Sequence, residues 1–225
     1  MKDPADQEPV WSARPAPEQP DLQDVKPTLP IIWVLLVMCV LPELVFLGAD
    51  VGYWGDRTWR ALGLQYGAFW PGLLDNWRPN YTGQPILMFL TYGFLHAGTW
   101  HMGLNMVTLV SLGRSLSTQV GQRQFLVLYI GSMIGGALAF TLFGPVSSPM
   151  VGASGALFGL AGALILDLWW DTHDWRLLVL PTGGLILLNV IMYYAMDGLL
   201  AWQTHLGGFL AGVWVMGMFL IHEGD

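Results

Sequence analysis

Apolar stretches recur along this chain with short polar breaks between them, and their lengths set the first expectation. A helix that crosses a bilayer needs about 20 mostly apolar residues. Six stretches approach that length: Leu29 to Leu47, Trp100 to Ser117, Phe125 to Phe143, Ser154 to Trp170, Leu177 to Tyr194 and Leu199 to Ile221. Pro42 and Glu43 interrupt the first near its far end, where the carboxylate is expected to reach the membrane interface. Gly131, Gly135 and Gly136 give the third a close-packing face. Pro181, Gly183 and Gly184 predict a bent or loosely packed fifth helix. Loops from the second stretch onward are short, so successive helices are expected to be neighbours. The pattern predicts an all-α bundle of six transmembrane helices over residues 29–221, with both termini on one side.

Two regions depart from this pattern. Residues 1–28 hold six acids, three bases and six prolines, and read as a disordered, solvated tail without the features of a signal peptide. Gly48 to Gly98 forms a long first connection containing Trp54, Trp59, Trp70 and Trp77, aromatics that suit the water–lipid boundary. Within it Ile86 to Leu90 is too short to span and reads as an interfacial or re-entrant piece.

Composition removes the soluble alternatives. Of 225 residues, 54% are hydrophobic and only 11% charged, which leaves little soluble mass. The net charge of −7 offers no basic patch for nucleic acid. Cys39 is the only cysteine, so no intrachain disulfide can form. Lys2, Arg14, Lys26, Arg114, Arg123 and Arg176 fall on the side of the termini, against Arg57, Arg60 and Arg78 on the other. That bias predicts cytoplasmic termini, including a short C-terminus at residues 222–225, and an outward-facing first loop.

Polar groups gather at the outer level of three predicted spans. Ser154 stands where the loop Gly144 to Val151, with Pro145 and Pro149, meets an apolar helix, so free backbone N–H groups lie beside it. Gly152-Ala153-Ser154-Gly155 lacks the final glycine of the soluble-hydrolase motif, because Ala156 occupies that place. His101 and Asn105 are four apart on one face of the second span. His205 falls in the first two turns of the sixth. Gly155-x-x-x-Gly159 and Gly208-x-x-x-Gly212 are small-residue faces that allow backbones to approach closely. Close approach is what a Ser154–His205 hydrogen bond requires. Other hydrolytic chemistries lack their parts: there is no His-Glu-x-x-His, and His96 and His101, five apart, would lie on different faces of a helix.

These stretches resemble the rhomboid family of intramembrane serine proteases. The resemblance rests on Phe94-Leu95-His96-Ala97-Gly98-Thr99-Trp100-His101-Met102-Gly103-Leu104-Asn105, on Gly152-Ala153-Ser154-Gly155 and on His205-Leu206-Gly207-Gly208-Phe209-Leu210-Ala211-Gly212. It implies that Ser154 is the nucleophile and His205 its general base. It implies an oxyanion hole from His101, Asn105 and the Ser154 backbone N–H. Phe158, four after the serine, would pack on the base, with Gly152, Gly155 and His96 in support. The first loop would form a lipid-embedded wedge. Single-span membrane proteins are the implied substrates, the bilayer the surrounding partner, and no cofactor is implied. The chain departs from the family in two places. Leu87-Met88 stand where many rhomboids carry Trp-Arg, so the loop's polar anchoring is expected to differ, and Thr204 stands where alanine is frequent before the histidine.

Three functions compete at this stage. An endopeptidase uses the Ser154–His205 pair. A catalytically inactive rhomboid-like protein would bind membrane helices without cutting them, and such relatives usually lack the serine or the histidine. A transporter would need ionisable residues along a continuous path, whereas the polar groups here sit at one level. The compact form suits a bacterial inner membrane.

Overall fold

The computed structural model describes residues 30–223, so the expected tail at residues 1–28 lies outside the described residues. Seven α-helices are present among those described. They are α1 (Pro30–Asp50), α2 (Trp59–Gly67), α3 (Gln84–Thr91), α4 (Thr99–Phe143), α5 (Ser154–Thr172), α6 (Trp175–Ala195) and α7 (Trp202–Glu223). Four of them are long and apolar enough to cross a membrane: α1, α4, α6 and α7. The 45 residues of α4 would extend about 67 Å at helical rise, roughly twice a hydrocarbon core. Gly121 breaks it with φ 78° and ψ 167°, a conformation that glycine adopts without a Cβ penalty. The second and third predicted stretches are therefore two helical arms joined at one residue rather than across a loop.

α5 is the inner helix. Gly155, Ala156, Gly159, Leu160, Gly162 and Ala163 are all buried along it, and it packs on both α4 and α7. It is less apolar than its neighbours because Asp167 and Asp171 occupy its far end, while its lipid-facing surface is small. At its crossing with α7 the backbones nearly touch. A Cβ added at Gly208 would lie 2.7 Å from the Gly155 carbonyl carbon, and one at Gly212 would lie 2.5 Å from the Gly159 carbonyl carbon. The two small-residue faces read from the sequence are thus one joint, set by the absence of four side chains.

α6 is the opposite case. None of its residues is buried, and among the described elements it packs substantially only on α5. Pro181 lies inside it, and no atom stands near the Cβ positions of Gly183 or Gly184. The looseness expected of the fifth stretch is present.

The first loop is held by side-chain bonds to backbone groups. Gln84, fully buried, donates to the Gln65 carbonyl at 2.8 Å and accepts from the Asn80 N–H at 2.8 Å. Thr91 donates to the Gly67 carbonyl at 2.7 Å. These bonds tie α2 to α3, whose Ile86 and Leu87 are exposed.

One expectation fails here. α1 continues to Asp50, so Glu43 lies well inside the helix and is 1% exposed rather than at an interface. Its carboxylate accepts from Arg60 through both terminal nitrogens, each at 2.9 Å. Arg60 also donates to Asp50 at 2.7 Å and to the His96 carbonyl at 3.3 Å, and Thr99 donates to Glu43 at 3.1 Å. This cluster is a polar tie between α1 and α2, and Met88 is buried among apolar neighbours. Pairing with Glu43 first, and with Asp50, holds the Arg60 guanidinium above its ordinary pKa.

Candidate active site

The site begins with backbone. Met150 and Phe69 exchange two hydrogen bonds, 2.9 and 3.0 Å, and the Gly152 N–H donates to the Tyr92 carbonyl at 3.0 Å. These bonds fix the loop entering α5. Gly152 has φ 121°, and a Cβ there would meet the His101 ring at 2.8–2.9 Å and Asn105 Nδ2 at 3.7 Å. Only glycine lets the chain pass beneath those two side chains. Ser154 follows as the first residue of α5, where the leading amides have no intrahelical acceptor.

His205 reaches this point from α7, 5% exposed. Its Nε2 lies 2.8 Å from Ser154 Oγ, a contact made possible by the glycine joint one turn below. The ring of Phe158, four residues after Ser154 on α5, stacks on the imidazole at 4.2 Å between centroids with 5° between planes. His205 Nδ1 lies 2.7 Å from Asn189 Oδ1 on α6. With the amide oxygen turned to the ring, this contact is a hydrogen bond when Nδ1 carries the proton, the tautomer that leaves Nε2 a lone pair for the serine hydroxyl.

His101 and Asn105 stand over Gly152 from the first arm of α4. Asn105 is 6% exposed, and its Nδ2 is buried with no hydrogen-bond partner. A buried donor without an acceptor is costly unless a bound group supplies one. His96 packs edge-on against His101, with centroids 5.1 Å apart. It lies in the segment before α4 rather than on the helix, so five-residue spacing did not separate the rings as expected. Burial pushes its pKa down to about 3, with the neighbouring His101 a smaller cause, so its ring is neutral. Gly155 lies under Thr204, whose methyl would stand 2.7 Å from an added Cβ.

Of the eight residues named from the sequence, Ser154, His205, Phe158 and Gly155 meet at the α5–α7 crossing, and His101, Asn105, Gly152 and His96 meet beside it. Asn189 was passed over. The available signal was a lone amide in the otherwise apolar run Leu185 to Met192. A cavity of about 590 Å³ opens between α6 and α7, lined by Phe158, Ile186, Asn189, Trp202, His205 and Phe209 among others. Its lining is mostly apolar, with Asn189, His205, Thr182, Tyr193 and Tyr194 as the side chains that carry polar groups.

A bundle of apolar helices holding this serine–histidine pair agrees with the comparison to known proteins. The family model of the rhomboid domain matches residues 83–222, more than half of the chain. The chain belongs to the rhomboid family and is a multi-pass membrane protein. It is 36% identical over 134 residues to Rhomboid protein 1, mitochondrial, of Saccharomyces cerevisiae, covering 53% of this chain and 38% of that protein. It is 34% identical over 157 residues to RHOMBOID-like protein 6, mitochondrial, of Arabidopsis thaliana, covering 68% and 49%. It is also 29% identical over 153 residues to Inactive rhomboid protein 1 of Bos taurus, covering 66% and 17%. The chain thus spans half or less of the length of these relatives. All three are eukaryotic and lend no support to a bacterial inner membrane.

Proposed function

We propose that this chain is a serine endopeptidase that cleaves single-span membrane proteins at the outer level of the bilayer. The 2.8 Å contact between Ser154 Oγ and His205 Nε2 carries the proposal. In this reading α1, the two arms of α4, α5, α6 and α7 form six spans, an even number that leaves both termini on one side. The excess of Lys and Arg on that side supports cytoplasmic termini.

The reaction is acyl transfer in two halves. Ser154 Oγ attacks the scissile carbonyl carbon while its proton passes to His205 Nε2. The carbonyl oxygen becomes an oxyanion held by Asn105 Nδ2, the His101 ring and the Ser154 backbone N–H. The tetrahedral adduct collapses, the C–N bond breaks, and His205 gives its proton to the departing amine. Water then attacks the acyl-serine with His205 again taking a proton, which releases the carboxylic acid and restores Ser154. The unpartnered Asn105 Nδ2 supports the oxyanion role, because a donor held ready costs no reorganisation when charge develops.

Similarity to Inactive rhomboid protein 1 favours a second reading, a membrane-helix binder without activity. The hydrogen-bonded Ser154–His205 pair argues against it. Reaction of the purified full chain with a fluorophosphonate, together with cleavage of a model transmembrane substrate, separates the two. Ser154→Ala and His205→Ala should each abolish cleavage, with the double variant no worse, because nucleophile and base act as a unit. Retained cleavage by either single variant excludes the dyad.

A further inference from the structure

The serine–histidine pair is complete in composition but not in orientation, because an imidazole can place its proton on either nitrogen. Phe158 fixes the plane of the His205 ring and says nothing about the proton. Only one group within hydrogen-bonding distance of Nδ1 is seen among the described residues, Asn189 Oδ1 at 2.7 Å. We propose that Asn189 is a positioning residue that holds His205 in the Nδ1–H tautomer, so that Nε2 is free to take the Ser154 proton. The proposal rests on the endopeptidase reading above.

Three observations carry it. First, the contact joins two helices with little else in common: α6 packs substantially on α5 alone, yet it projects this amide to α7. Second, Asn189 and His205 meet in a predominantly apolar cavity lining, beside Ile186, Leu206 and Phe209. His205 is 5% exposed, and at a buried ring a hydrogen bond is stronger and an unmet N–H costs more, so the tautomer that satisfies Nδ1 is favoured. Third, α6 carries no buried residue, so it is the least embedded of the long helices. A residue that orients the base from that helix makes the readiness of the base depend on where α6 sits. Displacing α6 away from α7 would release Nδ1 and leave the histidine without a preferred tautomer.

The test uses the full chain in detergent micelles or nanodiscs, with Asn189→Leu and Asn189→Asp. Asn189→Leu removes the acceptor at similar volume. Its kcat should fall on the order of 10- to 100-fold, the span expected for leaving a buried donor unmet, while KM stays within about twofold. Asn189→Asp keeps an oxygen acceptor at the same reach and should recover most of the lost kcat. The imidazole ¹⁵N shifts of His205 should report an Nδ1–H ring in the parent chain and a mixed ring in Asn189→Leu. That measurement does not require turnover, so it also stands if the parent chain fails to cleave a transmembrane substrate. An unchanged kcat in Asn189→Leu, equal loss in Asn189→Leu and Asn189→Asp, or a parent ring protonated at Nε2 would each overturn the assignment.

Discussion

Replacing Gly208 by alanine adds one methyl group where α7 meets α5, and the structure states what that methyl meets. An ideal Cβ there lies 2.7 Å from the Gly155 carbonyl carbon and closer still to its oxygen. Ordinary contact begins at 3.4 Å, so the helices must part by at least 0.7 Å. Backbone cannot rotate aside as a flexible side chain could, so the displacement passes into the helix pair. Ser154 and His205 sit on these two helices about one turn above the joint, at 2.8 Å. The same displacement along their line would carry the pair to about 3.5 Å, the outer limit of a hydrogen bond. A misplacement on the order of 1 Å costs about 100-fold in rate, and overpacking costs about 1–3 kcal/mol of stability. Gly208→Ala should therefore lose about 100-fold in kcat and unfold at lower temperature, while far-ultraviolet circular dichroism still reports helix. Gly183→Ala, on the open face of α6, is the matched control and should leave both nearly unchanged. Full cleavage by Gly208→Ala would show that the joint is not what brings the pair within reach.

Asn105→Ala should lower kcat on the order of 100-fold without abolishing it, because His101 and the Ser154 N–H remain as donors; an unchanged kcat removes Asn105 from the site. Arg60→Ala strands the fully buried Glu43 carboxylate. It should cost about 3 kcal/mol, the low end for a broken buried pair because the Arg60 side chain keeps 18% exposure, read as a lower unfolding temperature. Arg60→Lys should recover only part of that, since an ammonium cannot make the two-pronged contact. Transmembrane substrates with glycine or proline near the cut should be cleaved faster than all-leucine versions, because the scissile segment must leave the helix to reach Ser154. Equal rates across such a panel would remove the unwinding step.

The sequence carried the long apolar helices and the joint clearly, because length, apolarity and glycine spacing act locally. It carried Ser154, His205, His101 and Asn105 because polar groups in apolar runs are rare. It carried less where geometry decides. Glu43 read as an interfacial acid because the run of apolar residues ends soon after it, whereas the helix itself continues to Asp50 and its partner Arg60 lies 17 residues on, in α2. The near-perpendicular packing of His96 on His101 depends on a non-helical segment between Leu95 and Gly98 that spacing alone cannot distinguish from a helical turn. Asn189 was a visible amide, but which of several helices it would face is a matter of packing that no periodicity encodes.

The glycine joint also has a consequence in time. Ser154 lies on α5 and His205 on α7, with α6 between them in the chain, and α7 is the last of the described helices to leave the ribosome. A nascent chain that has inserted everything through α6 holds the serine, its loop and the donors of α4, but lacks His205 to accept the serine's proton. The pair comes together only when α7 slides into the groove that Gly155 and Gly159 leave open on α5. In the endopeptidase reading, reactivity therefore arrives only once α7 has been made, and in one step. In that reading a chain stalled or cut short before α7 lacks its general base and leaves uncut the neighbouring proteins still being threaded into the same membrane.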